Sequence, residues 1–162
     1  MASTLDLLKR LADHGVECVL VGGMAGVVHG CGLITEDIDV CAPMSPENLT
    51  RLLAALNGLH PKHRMRPDRP PLPEDPARLH GFKNLYIETD LGQIDVLGEI
   101  AGLGGYDEVA GRAVTVDLDG RTYRVLSIDS LIQAKRAMGR PQDMRAVELL
   151  EVVYDRLRRQ GR

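Results

Sequence analysis

The chain has 162 residues, of which 44% are hydrophobic and 27% charged, with a formal net charge of −3 at pH 7. That balance belongs to a globular chain long enough to bury roughly two-thirds of its unfolded surface, and it excludes an intrinsically disordered one. No apolar run is long enough for a transmembrane helix, the acidic balance argues against non-specific DNA binding, and with no Trp and one Phe the aromatic platforms of single-strand binders are missing.

In chain order, Ser3 or Thr4 can cap a first helix in which Leu5, Leu8, Leu11 and Ala12 recur at helical spacing, and Gly15 ends it. Met1 to Asp6 lacks the basic and apolar regions of a signal peptide, so a cytoplasmic protein forming one domain over 1–162 is expected. Val16 to Val21 reads as a buried strand, Gly22-Gly23 turns the chain, and a short helix follows from about Met24 to His29. Asp37 to Cys41 is a second strand. Ser45-Pro46-Glu47 starts a helix with Ser as cap and Pro at the first position, and Leu49, Leu52, Leu53 and Leu56 give its apolar face.

From Gly58 to Arg78 there are six prolines and no apolar periodicity, which predicts a long loop at the edge of a site. Lys62, His63, Arg64, Arg66 and Arg69 within it, and Arg156, Arg158, Arg159 and Arg162 at the C-terminus, either meet phosphates or are solvated surface charge. Leu79 to Glu88 and Gly92 to Leu97 form an expected hairpin, and Ala113 to Leu118 with Thr122 to Leu126 form another around Asp119-Gly120. Ser127 caps a helix carrying Leu131, Ile132, Lys135 and Met138, which Gly139 and Pro141 break, and a last helix runs from about Gln142 to Arg159. Mixed strands with helices at both ends make the expected class α+β. Cys18, Cys31 and Cys41 are odd in number and lack CxxC spacing, so free buried thiols are expected. His29 and Cys31 could share a zinc ion, but no second ligand pair follows.

Chemistry concentrates in Thr35-Glu36-Asp37-Ile38-Asp39-Val40. Alternation along a strand places Asp37 and Asp39 on one face and Ile38 and Val40 on the other, about 7 Å apart between like neighbours. Two such carboxylates repel, and burying them unpaired would cost several kcal/mol per ion. An oxygen-binding divalent cation, Mg²⁺ or Mn²⁺, removes that conflict. The alternative is a strand end whose acids are solvated or cap a helix. Upstream, Gly22-Gly23 between a strand and a helix start is either a tight turn or a cradle whose backbone N–H groups meet phosphate. It matches neither a dinucleotide fingerprint nor a P-loop. Downstream, Asp95 stands in the short strand Gln93-Ile94-Asp95-Val96-Leu97.

The order Val21-Gly22-Gly23, then Asp37-Ile38-Asp39, then Asp95, each flanked by aliphatic residues, resembles the nucleotidyltransferase superfamily with the polymerase-β-like fold. Val21 to Ala25 and Thr35 to Asp39 look like the small bacterial members that include toxins of toxin–antitoxin systems, and Leu131 to Asp143 is similar to their lysine and aspartate motif. The resemblance spans nearly the whole chain and implies a mixed sheet flanked by helices, with C-terminal helices. Many members carry Gly-Ser where this chain has Gly22-Gly23, and no appended RNA-binding or helical-bundle domain is recognisable. It further implies an enzyme that transfers a nucleoside monophosphate from a nucleoside triphosphate to an acceptor hydroxyl. Asp37, Asp39 and Asp95 would be catalytic and metal-binding. Gly22, Gly23, Thr35 and Lys135 would contact the nucleotide, although Thr35 could equally bond a turn backbone and Lys135 could face solvent. Asp143 reads first as a helix N-terminal acid. The implied acceptor is tRNA, a protein or a small molecule, and the implied partner an antitoxin or a second copy. A non-catalytic nucleotide- or partner-binding member of such a pair is the alternative.

Overall fold

The computed structural model describes residues 2–32 and 37–161. Its elements in chain order are α1 (Ala2–Asp13), β1 (Val19–Val21), α2 (Gly22–Val28), β2 (Ile38–Cys41), α3 (Pro46–Leu56), β3 (Lys62–His63), a 3₁₀ turn (Pro76–Leu79), β4 (Asn84–Thr89), β5 (Gly92–Leu97), β6 (Glu99–Ile100), β7 (Gly104–Gly105), α4 (Tyr106–Ala110), β8 (Ala113–Leu118), β9 (Arg121–Leu126), α5 (Ile128–Met138) and α6 (Pro141–Arg159). Seven strands form one sheet in the order β3-β4-β5-β2-β1-β9-β8, and β6 and β7 form a separate two-stranded ribbon. Strand β2 runs parallel to β5 and β1 parallel to β9, while the other neighbours are antiparallel. The mixed α+β architecture with C-terminal helices is the one expected.

Strand alternation divides the sheet into two chemically different faces. Cross-strand pairing aligns Leu20 with Val40, Val40 with Val96, and Val96 with Leu85, so one face is a continuous aliphatic surface. Ile38, Leu85, Ile87 and Ile94 on that face are fully buried. Burying each such side chain stabilises the fold by about 1.5–3 kcal/mol. Leu8 and Leu11 of α1 reach this face beside Leu20 and Val40, and the Arg10 guanidinium ties α1 to the end of α3 through the Ala55 and Asn57 carbonyls, each at 2.7 Å. The opposite face carries Asp39, Asp95, Tyr86 and Asn84. Helices α2 and α5 lie toward its β1 and β9 side and leave the carboxylate rows accessible.

Local signals act as expected at several ends. Ser45 Oγ accepts from the Asn48 N–H at 3.2 Å and Pro46 begins α3. Asp119 and Gly120 both have positive φ (51° and 80°), as a type I′ hairpin turn requires. Gly139 closes α5 in the left-handed conformation at φ 68°. Ser127 precedes α5, but its hydroxyl bonds Ser130 Oγ at 2.9 Å and makes no backbone cap.

Other boundaries differ from the sequence reading. Helix α2 begins at Gly22 itself, and β1 spans three residues. The segment from 58 to 78 contains β3, two residues long and too short to show alternation, and a 3₁₀ turn started by Asp75, which accepts from the Ala77 N–H at 3.0 Å. Leu79 ends that turn at 1% exposure; it is buried without being in a strand, so the hairpin starts only at Asn84. Strands β6 and β7 and helix α4 are two to five residues long and carry no legible period. Among the described residues no helix is long and apolar enough to cross a membrane.

Candidate active site

A cleft of about 920 Å³ opens on the polar face of the sheet. Its floor is formed by Asp39, Asp95, Tyr86 and Asn84. Gly22 borders it at the start of α2, Leu131 and Lys135 of α5 form one wall, and residues 99–104 form another. Asp39 and Asp95 are direct cross-strand partners on parallel strands, so their side chains leave the same face on strands about 4.8 Å apart.

The turn before α2 is shaped around Asp39. Gly22 has φ +68°, and a Cβ built there would lie 2.3 Å from Asp39 Oδ2. Only glycine both tolerates that conformation and leaves room for the carboxylate. Gly23 follows in the first turn of α2 and is half-buried. Thr35 lies outside the described residues.

Asp39 is pushed up to about 6 from the ordinary 3.8. Burial is the largest cause, and the neighbouring charges of Asp95 and then Asp37 add to it; Lys135 and Arg64 oppose the rise. Asp37 stands one residue before β2 and is exposed, close enough for its charge to act on Asp39 without lining the cleft. The structure therefore brings Asp39 and Asp95 together, with Asp37 at the strand entrance. Among the described residues no three His, Cys, Asp or Glu side chains converge as a preformed metal cluster. The Asp95 carboxylate is engaged by the Arg64 guanidinium.

Lys135 lines the cleft and reaches Asp143 Oδ1 at 3.5 Å. Asp143 is 1% exposed and also takes the Arg140 guanidinium, Nε at 2.6 Å and Nη2 at 3.1 Å, together with the Arg140 backbone N–H at 3.3 Å. These bonds, the Arg140 side chain first, hold its carboxyl below the usual carboxylate range. Asp143 is thus the helix N-terminal acid that the sequence suggests, and it also anchors two cations, Lys135 and Arg140, both of which border the cleft.

Three site residues lacked a sequence signal of their own, and Arg64 carried only that of its basic stretch. Tyr86 and Asn84 become visible only once β4 is paired with β5, where Tyr86 falls opposite Asp95 and Asn84 opposite Leu97. Arg140 sits in the break between two helices, and Arg64 follows a two-residue strand within the proline-rich segment. The zinc alternative is not supported: His29 Nε2 lies 2.8 Å from the Leu126 carbonyl, a tie between α2 and β9. All three cysteines are free, and burial pushes Cys18 up to about 12 and Cys41 up to about 11.

The chain shares its fold with a crystal structure from Thermotoga maritima named a "putative nucleotidyltransferase". The TM-score is 0.57 and the identity 18%, over 89% of each chain. No protein-family model matches the sequence, and no curated protein matches it. The fold is therefore nucleotidyltransferase-like, the fold that the resemblance in the sequence implies.

Proposed function

We propose that the protein is a Mg²⁺- or Mn²⁺-dependent nucleotidyltransferase that moves a nucleoside monophosphate from a nucleoside triphosphate to an acceptor hydroxyl. The observation that carries the reading is the registered Asp39–Asp95 pair beside Gly22: two crowded carboxylates, one strained toward protonation, on the open floor of a cleft. The donor set fits a hard divalent cation, because every side-chain donor is a carboxylate oxygen. Asp39 and Asp95 would hold it, with Asp37 adding charge from the strand entrance. When bound, the cation would neutralise charge on the triphosphate and on the leaving pyrophosphate.

The remaining roles belong to this chain's own groups. Backbone N–H groups at Gly22 and Gly23 would meet phosphate oxygens where no side chain intervenes. Lys135 would serve as a point charge for the phosphates, held toward them by Asp143, and Arg140, whose Nε and Nη2 are taken by Asp143, would offer its remaining Nη1 to a second phosphate oxygen. Asp95 would accept the acceptor hydroxyl's proton as that oxygen attacks the α-phosphorus and the bond to pyrophosphate breaks. The acceptor hydroxyl belongs to tRNA, a protein or a small molecule, and a toxin–antitoxin pair is the physiological setting in keeping with the sequence resemblance.

Calorimetric titration of the protein with each nucleoside triphosphate, with and without Mg²⁺, tests the binding half of the reading. Mg²⁺-dependent binding that Asp39→Asn removes is expected; binding unchanged by Mg²⁺ and by that substitution would overturn it. A second role, association with a partner protein such as a second copy, is favoured by Met144, Leu149 and Val152, which are 43%, 45% and 57% exposed along α6. It predicts that Val152→Glu lowers the mass seen by light scattering, and a mass unchanged from a monomeric wild type would dismiss it.

A further inference from the structure

Asp95 is met by a residue that no carboxylate pattern announces. Arg64 follows β3, and its backbone N–H donates to the Tyr86 carbonyl at 2.8 Å, which fixes the residue beside β4. Its side chain then crosses β4. The guanidinium carbon lies 5.8 Å from the centroid of the Tyr86 ring, and Nη2 donates to Asp95 Oδ1. Because Tyr86 pairs with Asp95 and Asp95 with Asp39, the guanidinium extends the same row across three strands. The Arg64 and Asp95 side chains are each 21% exposed, so the ion pair is sheltered from solvent screening.

The guanidinium is poorly satisfied there. Of its five N–H donors, one set meets Asp95, Nη1 faces the weak acceptor Met65 Sδ at 3.5 Å, and Nε is buried with no partner. A buried donor without an acceptor destabilises the arrangement that holds it. The arrangement persists because the guanidinium supplies positive charge next to two carboxylates, which is the service a cation would render. One carboxylate oxygen cannot give its full charge to both.

Resting on the nucleotidyltransferase reading, we propose that Arg64 is a positioning residue that holds Asp95 in the ligand-free protein and competes with the divalent cation for its carboxylate. When the cation takes Asp95, the released guanidinium, with Nε and Nη2 unsatisfied and Nη1 facing only a thioether, turns to a phosphate oxygen of the substrate.

The test uses Mn²⁺ alone, with no nucleotide, and counts free Mn²⁺ by electron paramagnetic resonance in titrations of the full chain. Arg64→Gln is compared with Arg66→Gln, which removes the same charge from the same segment at an exposed position. Mn²⁺ should bind roughly 5-fold or more tightly to Arg64→Gln, given that each tenfold is about 1.4 kcal/mol, and less than about 2-fold more tightly to Arg66→Gln. In an Asp95→Asn background Arg64→Gln should change Mn²⁺ binding by less than about 2-fold, because the contested carboxylate is gone and only the weaker action of Arg64 on Asp39 remains. Arg64→Met carries the same expectation if the Gln variant does not fold. Equal or weaker Mn²⁺ binding by the Arg64 variants overturns the competition and leaves the enzymatic reading standing. Absence of Mn²⁺ binding in every protein overturns both.

Discussion

Replacing Asp39 by Asn in the metal-free protein should stabilise it, by an amount that depends on pH. Its carboxyl titrates at about 6 in the fold, against an ordinary 3.8, because burial and then Asp95 disfavour its charge. A raised carboxyl means that the folded state binds the proton more tightly than the unfolded chain. The fold therefore has its full share of stability below about pH 3.8 and loses it as pH rises through about 6. At about 1.36 kcal/mol per pKa unit the loss is about 3 kcal/mol, an upper figure because water entering an open cleft relieves part of it. Asn keeps the shape and removes the charge, so at about pH 7.5 the variant should exceed wild type by roughly 1–3 kcal/mol. For a chain of this length that is a gain of roughly 2–10 °C in Tm. The assay is thermal unfolding by circular dichroism in a metal chelator, at about pH 7.5 and about pH 4, where the difference should shrink toward zero. An Asp39→Asn variant that melts below wild type at the higher pH would show that Asp39 is paired structurally and would refute the crowded-carboxylate account.

Three further outcomes follow from the geometry. Gly22→Ala places a Cβ against Asp39 Oδ2 at a positive φ, so it should lower stability by roughly 2–3 kcal/mol and abolish Mg²⁺-dependent nucleotide binding; chemical denaturation and calorimetry on the same sample check both. Asp143→Asn removes the shared partner of Lys135 and Arg140. Because the Asp143 carboxyl is held low, its contribution is present above the ordinary 3.8 and fades as pH falls below it, so urea melts should show a loss near neutral pH of about 2–4 kcal/mol that narrows in acid. Ser45→Ala removes the side-chain cap of α3 and should cost about 1 kcal/mol with nucleotide binding unchanged, which a melt and a titration together establish.

How far the sequence carried depended on whether a signal was local. The Asp-x-Asp strand, the glycine turn, Ser45-Pro46 and Asp119-Gly120 each announce themselves within a few residues, and the structure forms a strand, a turn, a helix cap and a hairpin at those places. Lys135 was legible through its helical neighbours Leu131 and Met138. Tyr86 and Arg140 were not, and Arg64 only as one of a basic stretch, because their positions come from pairing across β3, β4 and β5 or from the angle between α5 and α6. Arg64 lies 31 residues from Asp95, in a segment whose prolines hide a two-residue strand. Asp37 shows the limit of strand alternation: it shares a parity with Asp39, but β2 begins after it, so Asp37 stands exposed outside the cleft lining.

Transfer of a nucleoside monophosphate shows itself in the position of a radiolabel. Each nucleoside triphosphate, labelled in one sample at the α-phosphate and in another at the γ-phosphate, is incubated with the protein, Mg²⁺ and total cellular RNA and protein, with Asp39→Asn run in parallel. Label should reach a macromolecule from the α-labelled nucleotide only, and be lost in the Asp39→Asn variant and in chelator. Label arriving from the γ-phosphate, or α-label undiminished in Asp39→Asn, would rule out nucleoside monophosphate transfer at this site.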